Sequence, residues 1–153
     1  MDYFLMSFRF NKQHPQDFGL IYKDGKFIRE NDDTEWIPCQ LFDLGWGEEN
    51  GFYKVPLGTF DQLMQLVLCG DDLEDSYGAA AMIQSVYPEE LKVYLLNLIC
   101  QKKLQDRNKL RKLNQFFQLH RGINLTFQTG ISMAEVDKEN ADWQKIATFF
   151  SSK

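Results

Sequence analysis

The chain has 153 residues, of which 44% are hydrophobic and 25% are charged, and its formal net charge is −5 at pH 7. These values fit a single globular domain over residues 1–153 with a full hydrophobic core, and they exclude a disordered chain. No apolar run approaches the ~18 residues that a membrane helix needs. The first residues lack the basic start of a signal peptide. We therefore expect a cytoplasmic protein that does not contact membranes.

The N-terminal part of the chain, residues 1–57, has the pattern of β-strands. Apolar residues alternate with other residues over residues 4–10, which is typical of a half-buried strand. Two further strands are expected at residues 36–42 and 52–55. Pro38 lacks a backbone N–H, which predicts that its strand is weak or lies at the edge of the sheet.

A hairpin is predicted in the same region, where Asp24-Gly25 lies between two apolar runs. A type I′ turn needs a positive φ at both central positions, and an Asp-Gly pair provides this at low cost. The predicted register of the hairpin pairs Tyr22 with Phe27 and Ile21 with Ile28.

From residue 58 to residue 153 the hydrophobic period becomes helical. Thr59 with Gln62, and Ser132 with Glu135, have the spacing of capping boxes that begin helices. Five helices are expected, at about residues 59–69, 71 or 72 to 87, 88–100, 104–119 and 132–150. Strands followed by helices predict an α+β domain, with an N-terminal antiparallel sheet and a C-terminal layer or bundle of about five helices.

Familiar catalytic and cofactor motifs do not occur in the sequence. It contains no Walker loop, GxGxxG, HExxH or GxSxG pattern. Its three cysteines, Cys39, Cys69 and Cys100, form no CxxC pair, so neither a disulfide framework nor a zinc site is indicated. We expect all three to be buried and to react slowly with thiol reagents. The sequence therefore predicts a protein without cofactor, metal or catalytic residues, and not an enzyme.

The stretch "GDDLEDSYGAAA" at residues 70–81 is the best candidate for enzyme chemistry. On a helix Asp71, Glu74 and Asp75 share one face, which could hold Mg²⁺ or support a carboxylate-dependent hydrolase or nuclease. Carboxylates also stabilise a first helical turn, and they can attract a basic partner. The small residues that follow predict that a neighbouring helix approaches closely.

Charge is unevenly distributed along the chain. Residues 30–90 contain fourteen acidic residues and one basic residue, Lys54. Within this region the loop "LGWGEENG" carries a tryptophan that either anchors a partner or folds back onto the end of the sheet. We expect another protein, with a basic surface, as the partner. The predicted partner-binding residues are Trp46, Glu48, Glu49, Asp71, Asp72, Glu74 and Asp75.

A basic block follows, with eight basic residues and one acidic residue in residues 91–121. Lys103, Arg107 and Arg111 repeat every four residues and form one helix face, which makes a nucleic-acid-associated regulator a second alternative. The net charge of the whole chain and the lack of an aromatic stacking platform weigh against nucleic acid. A solvated face, partly neutralised by the preceding acidic helix, is the competing interpretation.

A resemblance to a known class of proteins rests on two stretches of the chain, "EDSYGAAAMIQSVYPEELKVYLLNLI" and "SMAEVDKENADWQKIATFF". The C-terminal two-thirds resembles the small acidic immunity proteins that bacteria make against polymorphic toxins. The resemblance implies stoichiometric inhibition of a toxin domain, often a basic nuclease, and it brings no catalytic residues with it. A toxin inhibitor that acts through an acidic surface is thus the first functional hypothesis.

Overall fold

The computed structural model describes residues 3–6, 14–43, 48–101, 106–121 and 132–152, without the side chains of residues 6, 42–43 and 48–50. The described residues contain one five-stranded antiparallel sheet followed by five α-helices, which confirms the predicted α+β class. The contacts group the chain into two compact units, Met1–Ile83 and Gln84–Lys153. The expectation of a single domain stays a prediction.

The sheet has the strand order β1-β5-β4-β3-β2, and every neighbouring pair is antiparallel. Its strands are β1 (Phe4–Met6), β2 (Leu20–Lys23), β3 (Lys26–Arg29), β4 (Thr34–Asp43) and β5 (Glu48–Lys54). The helices are α1 (Phe60–Cys69), α2 (Leu73–Val86), α3 (Pro88–Cys100), α4 (Arg107–Phe117) and α5 (Met133–Ser151). Short 3-10 helices occupy Pro15–Phe18 and Leu119–Arg121. No described helix is both long and apolar enough to cross a membrane.

The predicted hairpin is confirmed in both its turn and its register. Asp24 has a φ of 51° and Gly25 a φ of 82°, as a type I′ turn requires. The strand pairs are Ile21 with Ile28 and Tyr22 with Phe27. Local turn chemistry therefore decides how β2 and β3 pair.

The predicted edge position of the strand that contains Pro38 is wrong, whereas the alternative of a weak strand stays a prediction. Its strand β4 runs between β3 and β5, and Pro38 pairs with Phe52. The N–H of Val55 donates to the carbonyl of Glu35, so the backbone N–H and C=O groups of Glu35 and Ile37 point toward β5. The backbone nitrogen of Pro38 consequently faces the β3 side of the strand. The last residue pair between β3 and β4 is Phe27 with Trp36, so Pro38 lies beyond the end of this pairing. The missing N–H therefore removes no hydrogen bond of the β3–β4 ladder.

The two faces of the sheet bury different residues of the first unit. One face carries a hydrophobic cluster of Leu5, Phe18, Leu20 and Trp36, against which Phe27 and Phe52 pack. On the other face the fully buried Phe4 meets α2, because a Cβ placed at Gly78 would lie 2.3 Å from the Phe4 ring. At Gly78 the helix α2 thus admits a strand side chain, and the predicted close approach of a neighbouring helix to the alanines that follow stays a prediction.

Helices α1 and α2 follow their capping signals closely. The predicted box is confirmed at α1, since Thr59 accepts from the Gln62 N–H and Gln62 accepts from the Thr59 N–H. The predicted end of α1 at Gly70 is also confirmed. The hydroxyl of Ser76 lies 3.0 Å from the carbonyl oxygen of Leu66 and ties the start of α2 to the end of α1.

The second unit is helical, and its capping predictions hold. Pro88 opens α3, and Ser132 and Glu135 form the capping box of α5. The residues buried in this unit include Leu91, Leu95, Leu110, Leu113, Trp143, Ile146 and Phe150. Helix α3 is not buried on every side, since Val93 is 55% exposed.

A charged contact joins α3 to α5 inside the second unit. The ammonium of Lys92, which is buried, lies 2.7 Å from a carboxylate oxygen of Glu89 and also pairs with Glu139 on α5. Burial acts to lower the pKa of Lys92, but the hydrogen bonds that its ammonium donates to Glu139 and Glu89 outweigh this effect and raise the pKa above its ordinary value. The lysine is therefore charged throughout the physiological range.

The cysteines are less buried than the sequence indicated. Cys69 and Cys100 are exposed, so the prediction of burial is wrong for both. Cys39 is partly buried, and this burial raises the pKa of its thiol to about 12. The predicted strand residues 7–10 and the predicted start of the fourth helix at residues 104–105 lie outside the described residues.

The close contact at Gly78 generates a stability prediction. We expect Gly78→Ala to lower the free energy of unfolding by about 1–3 kcal/mol, because the new methyl group overlaps the buried Phe4 ring. Urea denaturation measures this change. The control is the double variant that combines Gly78→Ala with Phe4→Leu. Its loss of unfolding free energy should be smaller than the sum of the losses of the two single variants. Strictly additive effects would contradict the contact.

Candidate functional site

The acidic stretch at the start of α2 is the natural place to search for a site, and Asp75 is its most constrained member. Asp75 is 5% exposed. Its Oδ1 accepts hydrogen bonds from the backbone N–H groups of Tyr3, at 3.0 Å, and Phe4, at 2.9 Å. The N–H of Phe4 points away from β5 at the free edge of the sheet, so the carboxylate satisfies an edge donor. Asp75 therefore joins α2 to β1.

The carboxylate face predicted for a metal is not formed. Asp71 precedes the helix and is exposed, whereas Glu74 and Asp75 are buried. Asp72 accepts a hydrogen bond from the N–H of Asp75 and so caps the first turn of α2. Within the described ranges no group of three or more His, Cys, Asp or Glu residues could hold a metal ion. Partner binding by these residues stays a prediction, but burial removes Glu74 and Asp75 from the exposed surface.

The other predicted binding residues lie at the far end of β5. The N–H of Lys54 donates to the carbonyl of Tyr3, so the first turn of α2 lies beside the Lys54 end of this strand. Glu48 begins β5 six residues earlier, which at ~3.3 Å per residue places its backbone about 20 Å away. That separation exceeds the ~8 Å screening length at physiological salt. The backbones of Glu48 and Glu49 are thus remote from the start of α2, partner binding by these two residues stays a prediction, and Trp46 lies outside the described residues.

A different set of carboxylates lies at the Lys54 end of the sheet. The turn between β3 and β4 is at this end, because Trp36 pairs with Lys54 and β4 begins two residues earlier. The first turn of α1 and the residue before α2 lie here as well. Four exposed carboxylates, which we call the acidic end, form no ion pair with any described residue: Glu30, Asp33, Asp61 and Asp71.

Two neighbouring acidic residues are neutralised and do not belong to the acidic end. Asp32 pairs with Arg29, and Glu35 pairs with Lys26 at 2.7 Å. The hydrogen bonds from Arg29 and Thr34 hold the pKa of Asp32 well below its usual range. Sequence counting treats all these carboxylates alike, so only the pairing separates them. The signal that could have been used is the spacing of Arg29 and Asp32 across a tight turn.

A pocket of about 590 Å³ opens at the same end of the sheet. The start of β1, the segment after β5 and the first two turns of α1 line it. Phe4, Leu63 and Leu66 supply apolar wall, and Lys54 and Asp61 bring one charge of each sign. This volume is within the range of about 300–1,000 Å³ that is usual for ligand pockets. The sequence analysis missed the pocket, because the residues that line it come from three separate segments.

The predicted basic face is described only in part. Arg107 and Arg111 lie one turn apart on α4 and are exposed, and Lys103 lies outside the described residues. Lys109 lies 5.2 Å from the centre of the Tyr94 ring, so its charge packs against α3. The face thus presents two described guanidinium groups, and its solvated interpretation and its nucleic-acid interpretation both stay open.

The comparisons with known proteins add no assignment. No family model matches the chain, and neither curated proteins nor solved structures give a match. The resemblance to immunity proteins therefore stays a prediction, and the functional argument depends on the surface alone.

The role of Asp75 generates the second prediction. Asp75→Ala leaves two backbone donors without their acceptor, and we expect a loss of about 2–4 kcal/mol in the free energy of unfolding. Asp75→Asn keeps an acceptor oxygen and should lose less. The matched control is Asp71→Asn, an exposed acid two residues before α2, which should change stability by no more than about 0.5 kcal/mol. Equal effects of Asp75→Ala and Asp71→Asn in urea denaturation would contradict this role.

Proposed function

We propose that this protein binds another protein without catalysis, and that it inhibits a basic toxin domain in the manner of an immunity protein. The observation that carries the proposal is the acidic end, where Glu30, Asp33, Asp61 and Asp71 are exposed and form no ion pair among the described residues. Uncompensated charge of one sign speeds encounter with a partner of the opposite sign.

The internal use of the other carboxylates supports binding over catalysis. Asp75 accepts two backbone hydrogen bonds, and Asp72 caps α2. A general acid or base must reach a substrate, whereas Asp75 is buried against β1. The stretch that looked most like an active site in the sequence therefore has a structural task. The exposed carboxylates that remain are spread over two turns and the start of a helix, which suits a protein surface.

The function is tested with the product of the neighbouring reading frame in the same genome. The proposal expects that frame to encode a protein with a basic C-terminal domain, and it expects one-to-one binding that abolishes the toxicity of this domain. A neighbouring frame without such a domain, or a domain that does not bind this protein, would contradict the immunity function.

The surface is tested by matched charge removal. The triple variant Glu30→Gln, Asp33→Asn, Asp71→Asn should slow association with that domain about tenfold at low salt, with a smaller effect at physiological salt, because salt screens exposed charges. Stopped-flow mixing measures the rate. The control removes three other exposed carboxylates, by Asp24→Asn at the opposite end of the sheet and by Glu90→Gln and Asp137→Asn in the second unit. Equal slowing by both triple variants, or by neither, would refute the acidic end as the binding surface.

A further inference from the structure

The pocket at the acidic end combines an apolar wall with two charges of opposite sign. Phe4 and Leu63 are almost fully buried and form part of its wall, while Tyr3 at its rim is 51% exposed. Lys54 and Asp61 line the same pocket, and neither forms an ion pair with a described residue. Neither charge is thus neutralised by the part of the chain that the structure describes.

This arrangement selects a ligand that is itself dipolar. An apolar side chain gains by leaving water against Phe4 and Leu66. A cationic group is favoured at Asp61, and an anionic group at Lys54, because charge-assisted hydrogen bonds are the stronger ones. A purely apolar ligand would leave both charges partly desolvated without a partner, which is costly.

The surroundings of the pocket decide the net charge of the ligand. Glu30, Asp33 and Asp71 are exposed at the same end of the sheet, and the only described cation of the pocket is Lys54. Charge complementarity therefore favours a ligand with more basic than acidic groups. The exposed rim at Tyr3 and Asp61 admits a chain that continues across the surface beyond the pocket.

We propose that the pocket holds an extended segment of the protein partner, in which apolar side chains lie between basic residues and one acidic residue. This inference rests on the proposed function and names the place where the partner is anchored. The apolar side chain fills the pocket, a basic residue pairs with Asp61, and the acidic residue pairs with Lys54. Such buried anchors dominate the free energy of most protein interfaces.

The experiment is an NMR titration of the whole ¹⁵N-labelled protein with synthetic peptides. Two capped peptides each contain leucine and phenylalanine between a pair of arginines and one glutamate. The second peptide has the reverse residue order of the first. At least one of them should shift the amide signals of residues 54–58 and 61–66. Asp61→Asn should weaken its binding about tenfold, as expected for one charge-assisted hydrogen bond. Lys54→Gln should also weaken it, whereas Glu90→Gln in the second unit should leave it unchanged.

Four results would overturn the proposal. The first is that neither peptide shifts the pocket signals, and the second is that Asp61→Asn binds the peptide as tightly as the unaltered protein does. The third is that peptides in which every charge is exchanged for the opposite sign bind as tightly as the original peptides. The fourth is that free phenylalanine or free arginine binds as tightly as the peptide. Pocket signals that shift with protein concentration alone would indicate a second copy of the chain instead. The triple variant at Glu30, Asp33 and Asp71 keeps the pocket residues. Loss of partner association in that variant is therefore distinguishable from loss of peptide binding in Asp61→Asn.

Discussion

The first unit depends on one buried carboxylate at the junction of its sheet and helices. Strand β1 has only three residues and pairs on one side with β5. The N–H of Phe4 lies on the other side of β1, where no strand pairs with it. Asp75 accepts hydrogen bonds from this N–H and from the N–H of Tyr3. The same contact brings Gly78 against the Phe4 ring, where no larger residue fits. The hydrogen bonds and the packing therefore act on the same pair of elements.

This constraint also positions the surface that we propose to be functional. Because Asp75 fixes the start of α2 beside Tyr3, and Tyr3 accepts from the Lys54 N–H, three segments converge at one end of the sheet. The pocket lies at that convergence, and Asp71 precedes the helix whose first turn Asp72 caps. Within these acidic residues, the buried carboxylates thus stabilise the fold, and the exposed carboxylates give the surface its negative charge.

Local signals predicted much of the fold, and long-range packing explains what they missed. The turn at Asp24-Gly25 and the caps at Thr59 and Ser132 depend on residues that are adjacent or three apart, and all three are confirmed. The place of Pro38 depends on where β3 ends, which no local pattern gives. The burial of Asp75 depends on a contact across 71 residues. For the same reason the sequence identified acidic residues as a site, but it could not separate the paired and buried ones from those at the acidic end.

Amide hydrogen exchange at Phe4 tests the central contact most directly. An N–H at the free edge of a three-residue strand would exchange rapidly unless it has an acceptor. The account predicts slow exchange at Phe4 in the unaltered protein, similar to Leu5, which pairs with Phe52 inside the ladder. It also predicts that Asp75→Ala speeds exchange at Phe4 more than at Ile21 and Ile28 in the hairpin. Rapid exchange at Phe4 in the unaltered protein, or an equal change at all these amides in Asp75→Ala, would contradict it.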